Sequence, residues 1–385
     1  MRKPIFITLF GLWGLTVIVS AQAPNASPIW TVSPVDRSKI DYSQMPLWAY
    51  GVAERPNPAE TQAVQGAPGA PPAAPIPPAE AARKRRVESS SLTFTRQEIR
   101  GNVVDWFPDD HPNPMPGIIK AGPTALGSTG RPCGTCHLSD GSGRPENSSP
   151  AGLSATYILR QLNDFRNGLR HSVEPGKGNS NTMVMLAKAM TDEEMKQAAE
   201  YFSSVTWRPH VTVVETDVVP DTRIQGELFI PTGKKVKEPI GNRIIEVPTD
   251  VEVNQVLRDS RGTWIAYVPV GAIARGKNLV TTGGASIVNN QIVLGRAVAC
   301  TTCHGQDLRG MAPDIPPLAG RSPSYLAREI FDIQQGLRAG SYPVLPLMKK
   351  AVEKLTAEDI IDITAYLASL PVDSPVPANL TLTQR

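Results

Sequence analysis

Two pentapeptides in this chain place two thiols and an imidazole at the spacing that attaches a c-type haem. Residues 133–137 read CGTCH and residues 300–304 read CTTCH. Two cysteines three positions apart lie on one helical turn, where they can form thioethers to the haem vinyl groups, and the adjacent histidine can ligate the iron. The two copies use all 4 cysteines of the 385-residue chain, so no disulfide is predicted. The sequence predicts two covalently bound haem c groups, held by Cys133, Cys136, His137, Cys300, Cys303 and His304.

Two other kinds of site also use a Cys-X-X-Cys sequence. A zinc site made of all four thiolates would need the two pairs to meet, and it would leave the histidine after each pair unexplained. A thioredoxin-like dithiol needs a βαβ setting, which the residues around the two motifs do not suggest. Haem attachment is therefore the interpretation that accounts for both histidines.

The residues after each motif form an internal repeat. Tyr157 matches Tyr325, and Arg170 matches Arg338. We call the two copies the first repeat (about 133–205) and the second repeat (about 275–370). Two related copies, each with its own motif, indicate two units that are each built around one haem.

Apolar spacing and capping residues predict the helices that position the motifs. Thr191, followed three residues later by Glu194, predicts a capping box at the start of the last helix of the first repeat. Apolar residues at helical spacing predict the others. The predicted helices span 155–167, 191–204, 275–282, 324–335 and 356–370, and each motif opens or precedes a further helical turn.

The iron of the second haem needs a ligand opposite its motif histidine, and Met or His supplies it in electron-transfer cytochromes. No histidine follows His304, and Met348 is the one methionine after Met311. Met311 follows His304 too closely to cross to the far face of the ring. Met348 lies in a proline-rich stretch before the last helix, which is predicted to be a loop. The sequence therefore predicts Met348 as the axial ligand.

The first repeat offers three methionines for the same role. Met348 precedes Leu355 by seven residues, as Met183 precedes Met190, and Leu355 and Met190 both stand just before the N-cap threonine of a last helix. The repeat therefore predicts Met183 as the ligand and Met190 as a core residue, with Met185 as the rival to Met183. The remaining histidines have no counterpart in the second repeat and are interpreted as structural: His111, His171 and His210.

The N-terminal region has the composition of an exported, irregular segment. Arg2 and Lys3 precede an apolar run, and residues 21–23 offer a small-X-small cleavage site, which predicts a secretory signal peptide; an uncleaved anchor is the alternative. Trp30, Trp48 and Tyr50 suggest a docking strap, and the Pro/Ala-rich stretch after it predicts an extended linker. The basic run 83–86 is interpreted as a solvated cluster, with a membrane or partner contact as the alternative.

The segment between the two repeats is rich in β-branched and aromatic residues. Its short runs at 210–214, 228–230, 243–247 and 264–268 predict strands. The predicted boundaries are a signal peptide at 1–23, a strap and linker at 24–94, a first haem domain at 95–208, a β-rich insert at 209–272, a second haem domain at 273–372 and a tail at 373–385.

The overall charge indicates no particular partner. The formal net charge is +3, and loss of Arg2 and Lys3 with a leader brings the chain near neutrality. This composition gives no support for nucleic-acid binding. No stretch after the leader is long and apolar enough to span a bilayer.

Taken in order, these elements resemble the tandem class I cytochromes c, in particular the periplasmic di-haem electron carriers. The likeness covers about 133–205 and 275–370, and rests on the motif, the tyrosine helix that ends in Gly-X-Arg, and the methionine before the final helix. It implies a mainly α fold of two small helical domains, joined here by the β-rich insert and preceded by the irregular Pro/Ala-rich region. It also implies His/Met ligation at both irons.

The resemblance implies a role in single-electron transfer, with no catalytic residue of the chain's own. Expected partners are a donor dehydrogenase or quinol-oxidising complex, and an acceptor oxidase or another cytochrome. The expected location is the periplasm, either free or at the membrane surface. A second hypothesis is the cytochrome subunit of a periplasmic dehydrogenase or respiratory complex, with the strap, the basic run and the insert as docking surfaces. A third is a di-haem peroxidase, which requires an open iron face that two methionine ligands would not leave.

Overall fold

The computed structural model describes residues 36–53, 76–338, 340 and 344–372. All of them belong to one compact unit, Val32–Arg385. The predicted signal peptide, Trp30, most of the Pro/Ala-rich linker and the tail from residue 373 lie outside the described residues.

The described residues form mostly short helices and short strands. The helices are α1 (Leu47–Tyr50), α2 (Pro78–Ala82), α3 (Arg96–Ile99), α4 (Gly117–Lys120), α5 (Cys133–His137), α6 (Ala155–Arg166), α7 (Gly178–Ala189), α8 (Asp192–Ser204), α9 (Ala272–Thr282), α10 (Thr301–His304), α11 (Pro323–Gln334), α12 (Leu345–Val352) and α13 (Ala357–Ser369). The strands are β1 (Lys84–Arg85), β2 (Phe94–Thr95), β3 (Val211–Glu215), β4 (Val218–Pro220), β5 (Thr222–Gln225), β6 (Leu228–Pro231), β7 (Lys237–Pro239), β8 (Ile245–Pro248), β9 (Trp264–Val268), β10 (Ser286–Val288) and β11 (Gln291–Val293).

The last helices of both repeats begin with a capping box. Thr191 Oγ1 accepts a hydrogen bond from Glu194 N at 3.1 Å, and Glu194 Oε2 accepts one from Thr191 N at 2.8 Å. In the second repeat Asp359 replaces the glutamate, and the two distances are 3.2 Å and 2.9 Å. These reciprocal bonds satisfy backbone donors that a helix leaves unpaired at its start. The predicted starts of α8 and α13 are therefore correct to within a residue.

Each repeat has its own helical core. Ile158, Leu162 and Phe165 of α6 are buried together with Met195 and Phe202 of α8. The equivalent helices α11 and α13 build the core of the second repeat, where α9 also packs on α13. A Cβ on Gly276 of α9 would lie 1.9 Å from a carbonyl oxygen of α13, so this crossing requires a glycine.

Buried polar contacts join the two repeats. Arg321, which is 1 % exposed, donates to the backbone oxygens of Ser149 and Ala151 and lies 4.1 Å from the ring of Trp207. Arg170 and Arg338 form an antiparallel β-bridge between the segments that follow α6 and α11. The equivalent positions of the two repeats therefore face each other.

The strands after α8 form small sheets rather than one continuous layer. β3 pairs in parallel with the central strand β9, and β8 pairs with β9 in antiparallel fashion. β4 pairs with β7 and β5 with β6, each as an antiparallel ribbon. Runs predicted as strands overlap β3, β6, β8 and β9, whereas β4, β5 and β7 were not predicted, since they are short and largely exposed.

Two expectations for the N-terminal region are corrected by the structure. Trp48 and Tyr50, expected on a docking strap, are buried against the second repeat, and Tyr50 Oη donates to Asp332 at 2.7 Å. The basic run is not wholly solvated, because Arg85 lies in strand β1 and pairs with Glu80 and Glu252. Neither aromatic side chain is available to a partner, because both are used internally.

Within the described ranges, every helix is too short or too polar to cross a membrane.

Candidate haem-binding clefts

Each motif occupies a short helix whose histidine is oriented by a backbone carbonyl. His137 Nδ1 lies 2.9 Å from the oxygen of Ser148, and His304 Nδ1 lies 2.9 Å from the oxygen of Pro316. A proton on Nδ1 that is donated to this carbonyl leaves the Nε2 lone pair free for a metal. Burial lowers the pKa of both histidines, which favours the neutral ligating form.

The two motifs line two separate clefts. The first cleft has about 1350 Å³ of empty space and contains Cys133, Cys136 and His137, and the second has about 1980 Å³ and contains Cys300, Cys303 and His304. Both volumes include space that is open to solvent. Most of the surface that lines each cleft is apolar, as a haem macrocycle requires.

The cysteines lie in an environment that suits uncharged thioethers. Burial raises the pKa of Cys133 to about 12 and that of Cys300 to about 11. A thioether carries no charge, so burial does not oppose it. Among the described residues no group of three or more His, Cys, Asp or Glu side chains could hold a metal ion. The two thiols and the imidazole in each cleft fit covalent attachment of haem c.

Both predicted methionines line the cleft of their own repeat. Met183 lies in the first cleft and Met348 in the second. The prediction of a loop for Met348 is wrong, because this residue lies in α12 and Met183 lies in α7. Proline is tolerated in the first turn of a helix, and Pro346 is the second residue of α12. Met190 also lines the first cleft, whereas Met185 is not part of its lining.

The three remaining histidines have backbone or carboxylate neighbours or are deeply buried. His111 Nε2 lies 2.9 Å from Asp105 Oδ1, and His171 Nε2 lies 2.9 Å from the oxygen of Gly168. Burial lowers the pKa of His210 to about 4. His171 also lines the first cleft, which the sequence did not indicate.

Six side chains line both clefts at once, and we call them the shared wall. Its members are Leu153, Tyr157, Gln161, Arg170, Tyr325 and Glu329. Arg170 donates to Gln161 at 2.8 Å and to Glu329 at 2.7 Å. Arg338, on the second cleft, also donates to both of these residues. The sequence repeat had matched the tyrosines and the arginines, but it gave no sign that they meet.

The first cleft also has a charged wall that was not predicted. Lys177 is buried and pairs with Glu227, which lies between β5 and β6, and burial lowers the pKa of Lys177 to about 8. Arg328 and Asp332 of α11 complete this wall from the second repeat. The sequence did not indicate this charged wall, because its residues come from three segments that are far apart in the chain.

Comparison with known proteins identifies the family. The family model "Cytochrome c" matches residues 127–206 and 273–371. Cytochrome c-554(548) of Halomonas halodenitrificans is 41% identical over 70 residues, which are 82% of that protein and 18% of this chain. This chain belongs to the cytochrome c family. It is a tandem class I cytochrome c with two covalently bound haem c groups, and its function is electron transfer.

Two further relatives are similar to parts of this chain. The "Thiosulfate dehydrogenase electron acceptor" of Stutzerimonas stutzeri is 24% identical over 241 residues, which are 62% of this chain and 78% of that protein. Cytochrome c4 of Pseudomonas aeruginosa is 39% identical over 74 residues, which are 19% of this chain and 34% of that protein. The longer match is more than three times the length of the shorter one, which has the length of a single repeat.

Proposed function

We propose that this chain is an exported electron carrier whose two irons are both ligated by histidine and methionine. The observation that supports this most directly is the pairing within each cleft: His137 with Met183, and His304 with Met348. His/Met ligation belongs to electron-transfer cytochromes and leaves no iron face open to a substrate. The chain then passes single electrons and has no catalytic residue of its own.

The protein's own part in this function is to orient ligands and exclude water. When bound, each haem supplies a one-electron ferric/ferrous couple. The carbonyls of Ser148 and Pro316 hold the two imidazoles in place. The mostly apolar surface of each lining limits contact between haem and water, which lowers the reorganisation that a change of charge requires.

We further propose a periplasmic dehydrogenase as the electron donor. The support is the relative in Stutzerimonas stutzeri, whose name describes it as an electron acceptor of thiosulfate dehydrogenase. In this proposal residues 95–208 and 273–372 are the two haem domains, residues 209–272 a β-rich insert and residues 1–23 a removed signal peptide. A permanent subunit would copurify with its dehydrogenase from periplasmic extract in moderate salt, whereas a free carrier would purify alone.

Methionine variants test the ligand assignment. Met–ferric haem gives a weak far-red absorption band, so M183A and M348A should each remove about half of its intensity in the oxidised protein. M185A is the matched control, because this neighbouring methionine does not line the cleft. Loss of half the band in M185A, with the band intact in M183A, would refute the assignment.

The same spectra test the di-haem peroxidase hypothesis. That enzyme would show a high-spin fraction in the wild-type protein that binds cyanide or carbon monoxide readily. Two low-spin haems in both oxidation states would instead support the carrier.

A further inference from the structure

The shared wall contains a charge difference at equivalent positions of the two repeats. Gln161 follows Tyr157 by four residues, and Glu329 follows Tyr325 by four. Both side chains line both clefts. Among the described residues, Glu329 is the one acidic side chain in both linings. The carboxylate of Glu329 therefore faces both haem sites beside the positive charge of Arg170, and its counterpart in the other repeat is a neutral amide.

Contacts with two arginines keep Glu329 ionised. Its Oε1 accepts from Arg170 at 2.7 Å and its Oε2 accepts from Arg338. The three side chains are 16%, 12% and 9% exposed, respectively. Burial alone would raise the pKa of Glu329, but the two guanidinium groups outweigh it and the pKa is lowered.

Gln161 makes the same pair of contacts without a charge. Its Oε1 accepts from Arg170 at 2.8 Å and also from Arg338. The four side chains thus form a closed ring in which either arginine could pair with a carboxylate at position 161 or 329. The ring's geometry would tolerate the charge on either side, but the sequence places it on the second repeat.

A fixed negative charge beside a haem favours the ferric state, which carries one more positive charge than the ferrous state. We propose that Glu329 lowers the reduction potentials of both haems together, by offsetting the positive charge that Arg170 and Arg338 bring to the shared wall. This proposal deepens the electron-transfer function and rests on both clefts holding a redox-active haem. Because one charge acts on both sites, it sets the potential of the pair rather than that of a single haem.

Glu329→Gln is the direct test, read by spectroelectrochemical titration of the full-length protein. Both midpoint potentials should rise, with the ferric-to-ferrous ratio at a fixed potential falling about tenfold, which corresponds to 59 mV for one electron. Glu329→Asp keeps the charge and should keep both potentials close to those of the wild type. If Glu329 were merely structural, the variant would lower the melting temperature and leave the potentials unchanged.

The repeat provides a second pair of variants. Gln161→Glu should lower both potentials, because it adds a carboxylate to the same ring. The double variant Q161E/E329Q keeps the net charge and both arginine contacts, and should return both potentials toward the wild-type values. If E329Q fails to fold, Q161E and the double variant still decide the question.

Two results would overturn the proposal. One is an E329Q protein with two haems by pyridine haemochrome assay and unchanged midpoints; the other is a shift confined to one haem. These two results can be distinguished from a failure of the proposed function. If the proposed function were wrong, the haems would lack the far-red methionine band or would bind external ligands. A normal band with unchanged potentials would reject only the role of Glu329.

Discussion

The first and second clefts are built from the same repeat but differ in their contact with solvent. None of the described residues that line the first cleft is exposed, whereas Val298, Cys303, Leu347 and Lys350 are exposed at the second. The helix that carries the methionine also differs in length between the repeats, with 12 residues in α7 and 8 in α12.

The segment leading into the second motif adds to this contrast. The β10–β11 hairpin ends shortly before Cys300, and its apolar side chains Ile287 and Ile292 are 74% and 75% exposed. The first cleft is instead closed by polar side chains, of which Arg328 and Asp332 come from the other repeat. The two repeats thus supply equivalent attachment motifs, and the surrounding segments leave more exposed side chains around the second cleft than around the first.

Removing one cysteine pair at a time gives the largest expected effect. C133A/C136A and C300A/C303A should each halve the haem content in a pyridine haemochrome assay. Loss of the first haem should lower the melting temperature further, because the residues that line that cleft are all at least partly buried and would lose more packing contacts. Equal losses of melting temperature, measured by circular dichroism, would show that the enclosure of the first cleft does not matter for stability.

A pH titration tests the polar wall of the first cleft. Burial raises the pKa of Asp332 to about 7, from 3.8. Its folded-state pKa lies above the unfolded value, so its contribution to stability is fully present below about pH 4 and is lost as the pH rises through 7. D332N should therefore flatten the decline of the unfolding free energy between pH 4 and pH 7, measured by urea denaturation.

The control for this titration is D109N, which removes an exposed carboxylate. In D109N the unfolding free energy should decline between pH 4 and pH 7 as it does in the wild type. If D332N and D109N gave the same pH profile as the wild type, Asp332 would not be the responsible group. The result also tests the comparison between the two clefts, because Asp332 belongs to the second repeat but lines the first cleft.

The smallest expected effect comes from the two helix caps. T191A and T356A each remove a capping box with nearly the same geometry. Each should cost about 1 kcal/mol of unfolding free energy, as replacement of an N-cap threonine typically does. Chemical denaturation measures both, and T93A, at an exposed threonine before β2, serves as a surface control. Markedly unequal costs would show that the two repeats do not unfold as one cooperative unit.

Local features could be predicted from the sequence because they depend on neighbouring residues. The start of α8 follows from the Thr191–Glu194 capping box, and the haem motifs follow from a fixed spacing of three residue types. The repeat also selected Met183 and Met348, which the structure places on the clefts. The ligation itself is still a prediction, which the methionine variants will test.

Predictions that required knowledge of distant contacts were less successful. Trp48 and Tyr50 looked like a docking surface because nothing in the nearby sequence shows that α11 covers them. Met348 was expected in a loop because Pro343 and Pro346 flank it. The position of Pro346 at a helix start, where its missing N–H costs nothing, became visible in the structure.

The sequence by itself determined the cofactor type, the number of haems and the family, since these depend on short motifs whose chemistry is local. The tertiary structure alone decided how the two sites relate to each other. It brought Gln161 and Glu329 into one wall with Arg170, although the first and second repeats are far apart in the chain. Such contacts depend on how the helices of the two repeats pack against each other. The spacing of apolar residues within one repeat does not specify this packing.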